Sequence, residues 1–243
     1  MTFDLSILAQ YWPLFVKGTW LTIRICLAAT IIGYVIGIVL ALLSQIPSRA
    51  IKAAIEIYLL TLRAIPFIIL LFVVYYGLPF SGIRIPAVIT GTIALSLYAS
   101  AYYAEIVRAA IEALPRGQYE SARVIGMSAL QAMRHVIFPQ IVPTLVPPST
   151  NITLTMIKES AVLSSITVAE LTYQSLVVQG NTFAPFEAFA AVTLIYWAIT
   201  AIVAHAASLL ERRFGRARSE HLVGSALAAS FLSLEAMPKR SRR

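Results

Sequence analysis

The sequence predicts an all-α integral membrane protein with about five transmembrane helices. Three observations lead there. Hydrophobic residues make up 59% of the 243 and charged residues 12%, with a mean hydropathy of +0.81. Soluble domains are nearer half apolar, with about a quarter of residues charged. The apolar residues come in long runs, and a bilayer core takes about 20 residues per helix, so five or six spans and their loops fit. One long polar stretch, Pro115 to Pro139, is too polar to cross a membrane yet has apolar segments on both sides.

Composition also removes several function classes. The formal charge of +8 suggests nucleic acid, but the basic residues cluster in certain loops and the tail, as membrane topology requires, and no nucleic-acid motif accompanies them. The lone Cys26 excludes an internal disulfide and a cysteine-rich metal site. The N-terminus, MTFDLSILAQYW, has no basic leader and contains Asp4, so insertion relies on the first true span. Lysine occurs only at positions 17, 52, 158 and 239, and none follows a phosphate-cradling glycine loop. No G-x-S-x-G or H-E-x-x-H pattern is present. The expectation is a non-enzyme with no cofactor or metal of its own. Any uphill transport must draw energy from another subunit.

The elements follow in order. Residues 1–17 contain Pro13 and mix polar with apolar positions, which reads as an external amphipathic segment with Tyr11 and Trp12 at headgroup level. The first span covers residues 18–43. Its Gly33 and Gly37 are either a step that lets another helix approach closely or a chance pair in an apolar segment. A polar loop over 44–56 precedes a second span over 57–78, where Pro66 should kink the helix. Arg63, three residues earlier, must snorkel or face a partner. A turn-rich loop leads to the third span, 87–111, whose Glu105 and Arg108 stand three apart on one face and are expected to pair. The fourth span, 142–168, is crowded at its start by Pro143, Pro147 and Pro148. Asn151, Thr155 and Glu159 then recur every four residues, with Lys158 beside them. This is either a translocation pathway or hydrogen-bonding glue between helices. A polar loop is expected over 170–187 and a fifth span over 188–210. His205, near its end, has no second ligand at metal spacing. The basic tail, 213–243, is too polar for a sixth span and reads as an interfacial helix or a disordered segment.

The polar stretch has helix logic: Pro115 suits a first turn, and Val124, Met127, Ala129 and Leu130 recur at roughly helical spacing. A short amphipathic helix held beside a membrane domain is suited to docking on another protein. Within it, Glu120-Ser121-Ala122, then Gly126, then Val136, Phe138 and Pro139 resemble the EAA loop of ABC importer permeases, with Ser121 in place of an Ala and Phe138 in place of a Leu. The run from Tyr102 to Ala122, YYAEIVRAAIEALPRGQYESA, is similar to the polar amino acid branch of that family, the histidine, glutamine and arginine permeases. TLRAIPFIILLFVVYYGLP, with Arg63 and Pro66, and MIKESAVLSSITVAEL resemble its second and fourth spans. The likeness covers roughly residues 14–212.

The resemblance implies a type I ABC importer permease (MetI-like) fold. In it, the loop at 112–140 is a coupling helix that sits in a cleft of a separate cytosolic ATPase subunit. It implies a second permease subunit, two ATPases that bind ATP and Mg, and an external solute-binding protein. Gly117, Gln118, Glu120, Ala122, Gly126 and Pro139 would belong to the coupling surface, with Gly126 allowing close approach. Asn151, Thr155, Lys158, Glu159 and Glu170 would line the solute path. Arg63, Pro66, Glu105 and Arg108 would be structural. The distribution of Lys and Arg places the N-terminus outside and the C-terminus in the cytosol of a bacterial inner membrane. A stand-alone secondary transporter or channel is the rival, opposed by the absence of inverted repeats and by the EAA-like loop.

Overall fold

The computed structural model describes residues 4–235, without the side chains of Arg116 and of residues 214–235. The described residues form helices and no strand. The first helix, α1, runs unbroken over Leu5–Leu43. The expected division at residue 17 is absent. Pro13 removes only one backbone donor, and Phe15 and Gly18, buried just beyond it, anchor the chain in the same helix. Asp4 caps it: the Ser6 backbone N–H donates to its carboxylate at 2.8 Å and the Ser6 hydroxyl at 2.6 Å. These bonds hold the Asp4 carboxyl below its ordinary range.

A stripe of small residues down α1, including Gly18, Thr22, Cys26, Ala29, Gly33, Gly37 and Ala41, is buried. The fourth helix, α4 (Ala87–Glu112), lies against it. A methyl group on Gly33 would stand 2.8 Å from the Ala99 Cβ, and one on Gly37 would stand 2.8 Å from the Ala104 backbone nitrogen. The glycine pair is therefore a close-approach step, not a chance pair. Tyr103 fills the space beside it, its hydroxyl 2.9 Å from the Thr153 hydroxyl.

The expected second span is two helices, α2 (Arg49–Ala64) and α3 (Phe67–Phe80), bent by 109°. Pro66 does more than kink the chain. Its ring disfavours helical backbone at Ile65, which is extended with ψ 133°, and its missing N–H ends the ladder. The expected polar loop shortens accordingly, because Ser48 caps α2 and the first turns lie within it.

The polar stretch gives α5 (Arg116–Val124) and the single turn α6 (Ala129–Ala132). A π turn, Met133–Ile137, then leads into α7 (Phe138–Glu159). Pro143, Pro147 and Pro148 lie inside α7 without breaking it. A 3-10 segment, Ser160–Ile166, ends where Thr167 takes a left-handed conformation (φ 63°). The polar loop expected after it is instead α8 (Leu171–Thr182). The last helix, α9, is continuous over Pro185–Glu235, so no backbone break separates the fifth span from the tail as far as Glu235. The terminal PKRSRR lies outside the described residues. Among the described residues three helices are long and apolar enough to cross a bilayer, and up to five spans result if each bent pair counts as one. The largest core joins α1, α3, α4, α7 and the 3-10 segment through Ala29, Leu71, Leu95, Tyr103, Met156 and Leu163. A separate cluster, Ala41, Val107, Ile137, Ile141 and Leu145, sits beneath the polar stretch.

Candidate functional site

The polar stretch is two short helices joined by a reversal, not one amphipathic helix from Pro115 to Leu130. Helix α5 ends in two crossed backbone bonds: the Met127 N–H donates to the Ala122 carbonyl and the Gly126 N–H to the Arg123 carbonyl, both at 3.1 Å. That closure requires a left-handed residue, and Gly126 supplies it with φ 86°. The Arg123 guanidinium donates to the Met127 carbonyl at 2.7 Å. Ser128 then opens α6 with a reciprocal cap: its hydroxyl accepts from the Gln131 N–H at 3.2 Å, and the Gln131 side-chain oxygen accepts from the Ser128 N–H at 2.8 Å. Every turn of the reversal is thus held by a specific bond, although the segment buries little of its own surface.

Its exposed edge is apolar. Val124 is 86% exposed, Ile125 73% and Leu130 77%. Apart from the adjoining backbone, nothing lies within 4 Å of where a Cβ would stand on Gly117 or Gly126. Glu120 is exposed. Ala122 is not on this surface: at 3% exposure it faces the protein and supports α5 from beneath. Gln118 accepts from the Gln140 side-chain amide at 3.2 Å, which ties α5 to α7. Pro139 stands two residues after the π turn, just beyond Phe138, whose N–H reaches back to the Met133 carbonyl. Having no N–H, Pro139 cannot donate to His135, and its ring crowds that carbonyl; the wide turn relieves both. The polar stretch therefore meets α7 through an irregular joint.

The charged residues of α2 and α4 form one chain. Arg108 donates to both Glu112 oxygens at 2.9 and 3.0 Å, and its Nε donates to Glu105 at 3.2 Å. Arg63 extends the chain, 3.7 Å from Glu105, with its guanidinium 5.8 Å above the Tyr102 ring. The predicted Glu105–Arg108 pair is present, and Arg63 faces it rather than snorkelling alone. These groups, with Lys52 and Glu56, line a cleft of about 350 Å³. Aromatic contacts continue from it, Tyr98 to Tyr102 at 5.0 Å and Phe67 to Tyr98 at 5.3 Å between centroids. Sequence reasoning passed over these tyrosines, although their four-residue spacing is a helical signal.

The structure separates the residues expected along the solute path. Asn151 and Lys158 are exposed, Thr155 and Glu159 are half-buried, and all four lie on α7. The Thr155 hydroxyl donates to the Asn151 carbonyl at 2.9 Å. Among the described residues the side chains of Lys158 and Glu159 make no hydrogen bond or ion pair. Glu170 does not join them. It is fully buried and caps α8, accepting from the Thr172 N–H at 2.9 Å, the Tyr173 N–H at 2.8 Å and the Tyr196 hydroxyl at 2.9 Å. With both oxygens occupied it is a structural tie between α8 and α9, and its assignment to the path is withdrawn. Among the described residues no group of His, Cys, Asp or Glu is placed to hold a metal ion.

Comparison with known proteins places this geometry. The family described as binding-protein-dependent transport system inner membrane component matches residues 33–216. A probable amino-acid ABC transporter permease of Bacillus subtilis is 33% identical over 212 residues, covering 87% of this chain and 94% of that protein. A probable glutamine ABC transporter permease of the same organism is 31% identical, covering 86% of this chain and 97% of that protein. A crystal structure of an amino acid ABC transporter with histidines superposes with a TM-score of 0.81 at 38% identity, covering 88% of this chain and 100% of that one. The MetNI methionine ABC transporter, inward facing, shares the fold with a TM-score of 0.72 at 23% identity, covering 83% of this chain and 96% of that one.

Proposed function

The chain belongs to the family of binding-protein-dependent transport system inner membrane components, and we propose that, with a second permease subunit, it forms the path for a polar amino acid or related small solute. It is a permease subunit of an ABC importer. Amino acid and glutamine permeases among its relatives support the solute class. Two cytosolic ATPase subunits bind ATP and Mg and supply the energy; this chain binds neither. An external solute-binding protein delivers the solute. The N-terminus lies outside and the C-terminus in the cytosol, because Arg49, Lys52, Arg108, Arg123 and Arg134 then fall on the cytosolic side.

The observation that carries the coupling role is the apolar edge Val124–Ile125–Leu130, exposed on a segment otherwise polar and rigidly capped. Such an edge in water calls for a protein partner. ATPase closure would move α5 and α6 together. The π turn would pass that motion to α7, which carries Asn151, Thr155, Lys158 and Glu159. The spans then alternate between inward- and outward-facing states biased by ATP. ATP-dependent uptake in proteoliposomes tests this, using the chain with its partner permease, ATPase and binding protein and a panel of radiolabelled amino acids. Uptake of one solute class, abolished when the ATPase is omitted, is expected. Uptake indifferent to the ATPase would return the chain to the class of stand-alone transporters.

A further inference from the structure

Lys17, Trp20, Arg24, Leu27 and Ile31 recur at spacings of three and four and so share one face of α1. All five are exposed, Trp20 at 63%, Leu27 at 60% and Ile31 at 55%. Neither Lys17 nor Arg24 has an ion-pair partner among the described residues. Two cations without an ion-pair partner, side by side on an apolar, outward-facing strip of a membrane helix, are complementary to an anion held at the membrane surface. Beside the same strip lies a groove of about 250 Å³ between α1 and α9. Its walls include Trp12, Phe15, Trp20, Ile23 and Ile195. Its polar side chain, Thr19, spends its hydroxyl on the Phe15 carbonyl at 2.7 Å. Helix α9 gives the depth. About 20 residues back from Arg212 the bilayer core ends near Val192, so Ile195 and the groove lie at its outer edge.

We propose that this corner holds one anionic phospholipid, its phosphate between Lys17 and Arg24 and one acyl chain in the Trp12–Trp20–Ile195 groove. Cations and groove meet at Trp20, three residues from Lys17, four from Arg24, and itself a groove wall. A phosphate drawn toward Arg24 offers acceptors matching its fork of donors. The choice of the outer leaflet rests on the proposed orientation; the lipid chemistry does not.

The test is native mass spectrometry of the whole transporter, reconstituted in vesicles of equal parts phosphatidylglycerol and phosphatidylcholine and then extracted in mild detergent. The wild type is expected to retain phosphatidylglycerol over phosphatidylcholine. Lys17→Gln and Arg24→Gln should each lower that preference about fivefold, the order expected for one basic side chain at an anionic surface. Lys17→Arg should restore it, and Trp20→Ala should weaken retention of both lipids. Equal retention by wild type and the double glutamine variant overturns the proposal. So does an equal loss in Lys52→Gln, an exposed cation remote from the groove, or loss of pairing with the second permease in Arg24→Gln. Leaflet is read separately, by labelling Gln10→Cys in a Cys26→Ser background with a membrane-impermeant maleimide. Labelling from the cytosolic side would refute the orientation and leave the lipid result to stand on its own.

Discussion

Gly126 has open space around it, so its role is conformational before it is steric. Asp tolerates a left-handed backbone better than most residues. Gly126→Asp should therefore keep the turn while placing a charge on the docking edge. We expect the variant to reach the membrane and fold, yet to lose stimulation of its ATPase by solute and binding protein; normal coupling would remove Gly126 from the surface. Glu170 makes the opposite prediction. Glu170→Ala removes a helix cap worth about 1 kcal/mol and the hydrogen bond from the half-buried Tyr196 hydroxyl, worth about 1 kcal/mol more because that hydroxyl keeps the Thr172 hydroxyl at 3.1 Å. The purified complex should melt several degrees lower, with solute affinity unchanged in what remains folded. Lost uptake at an unchanged melting temperature would restore Glu170 to the path. For Glu159, half-buried and without a side-chain hydrogen bond, Glu159→Gln should change uptake kinetics more than assembly. Identical kinetics would make it structural.

At the scale of elements, the α1–α4 contact depends on absent side chains. Gly37→Val pushes two methyls into the Ala104 backbone, which has no flexible end to yield. Overpacking of this kind costs about 1–3 kcal/mol, readable as a lower denaturation midpoint in micelles; an unchanged midpoint would mean the helices separate more easily than their packing implies. The glycine spacing was legible in the sequence, but its partner helix was not, because nothing local to Gly33 says which surface will meet it. The bend at Pro66 was legible as a perturbation and not as a 109° turn. A proline sets where a helix must yield, while the angle is fixed by what α3 packs against: Leu70 and Leu71 are buried, and Phe67 lies against Tyr98. Helix α8 reads as a loop in the sequence because the polar segment 170–187 carries Gly180, Asn181 and Pro185. It forms because Glu170 caps it and Leu171, Ser175 and Val178 bury one face.

For the whole molecule, the docking edge and the pathway helix lie on successive elements with an irregular joint between them. Val124→Asp combined with Leu130→Asp should weaken binding of the ATPase roughly thirtyfold, about 2 kcal/mol, as expected when apolar anchors of an interface are replaced by charge. The measurement is ATPase retained on affinity-purified permease, with the melting temperature as a control for folding. Undiminished retention would place the coupling surface elsewhere. The ion chain Arg63–Glu105–Arg108–Glu112 makes a weaker claim, because its side chains are between 30% and 54% exposed and each pair contributes little by itself.

The sequence by itself determined the membrane class, the approximate spans and the polar stretch between them. These follow from hydropathy and charge, which act residue by residue through transfer to lipid. It also located the Glu105–Arg108 pair, which is settled within one helical turn, but read the polar stretch as a single helix and did not show the capped turn at Gly126. Only the tertiary structure decided that α1 continues past Pro13, that Ala122 faces inward, that Glu170 is buried as a cap, and that Lys17 and Arg24 stand beside an apolar groove. Each of these depends on which distant surface arrives at the residue, and that is fixed by packing between elements far apart in the chain.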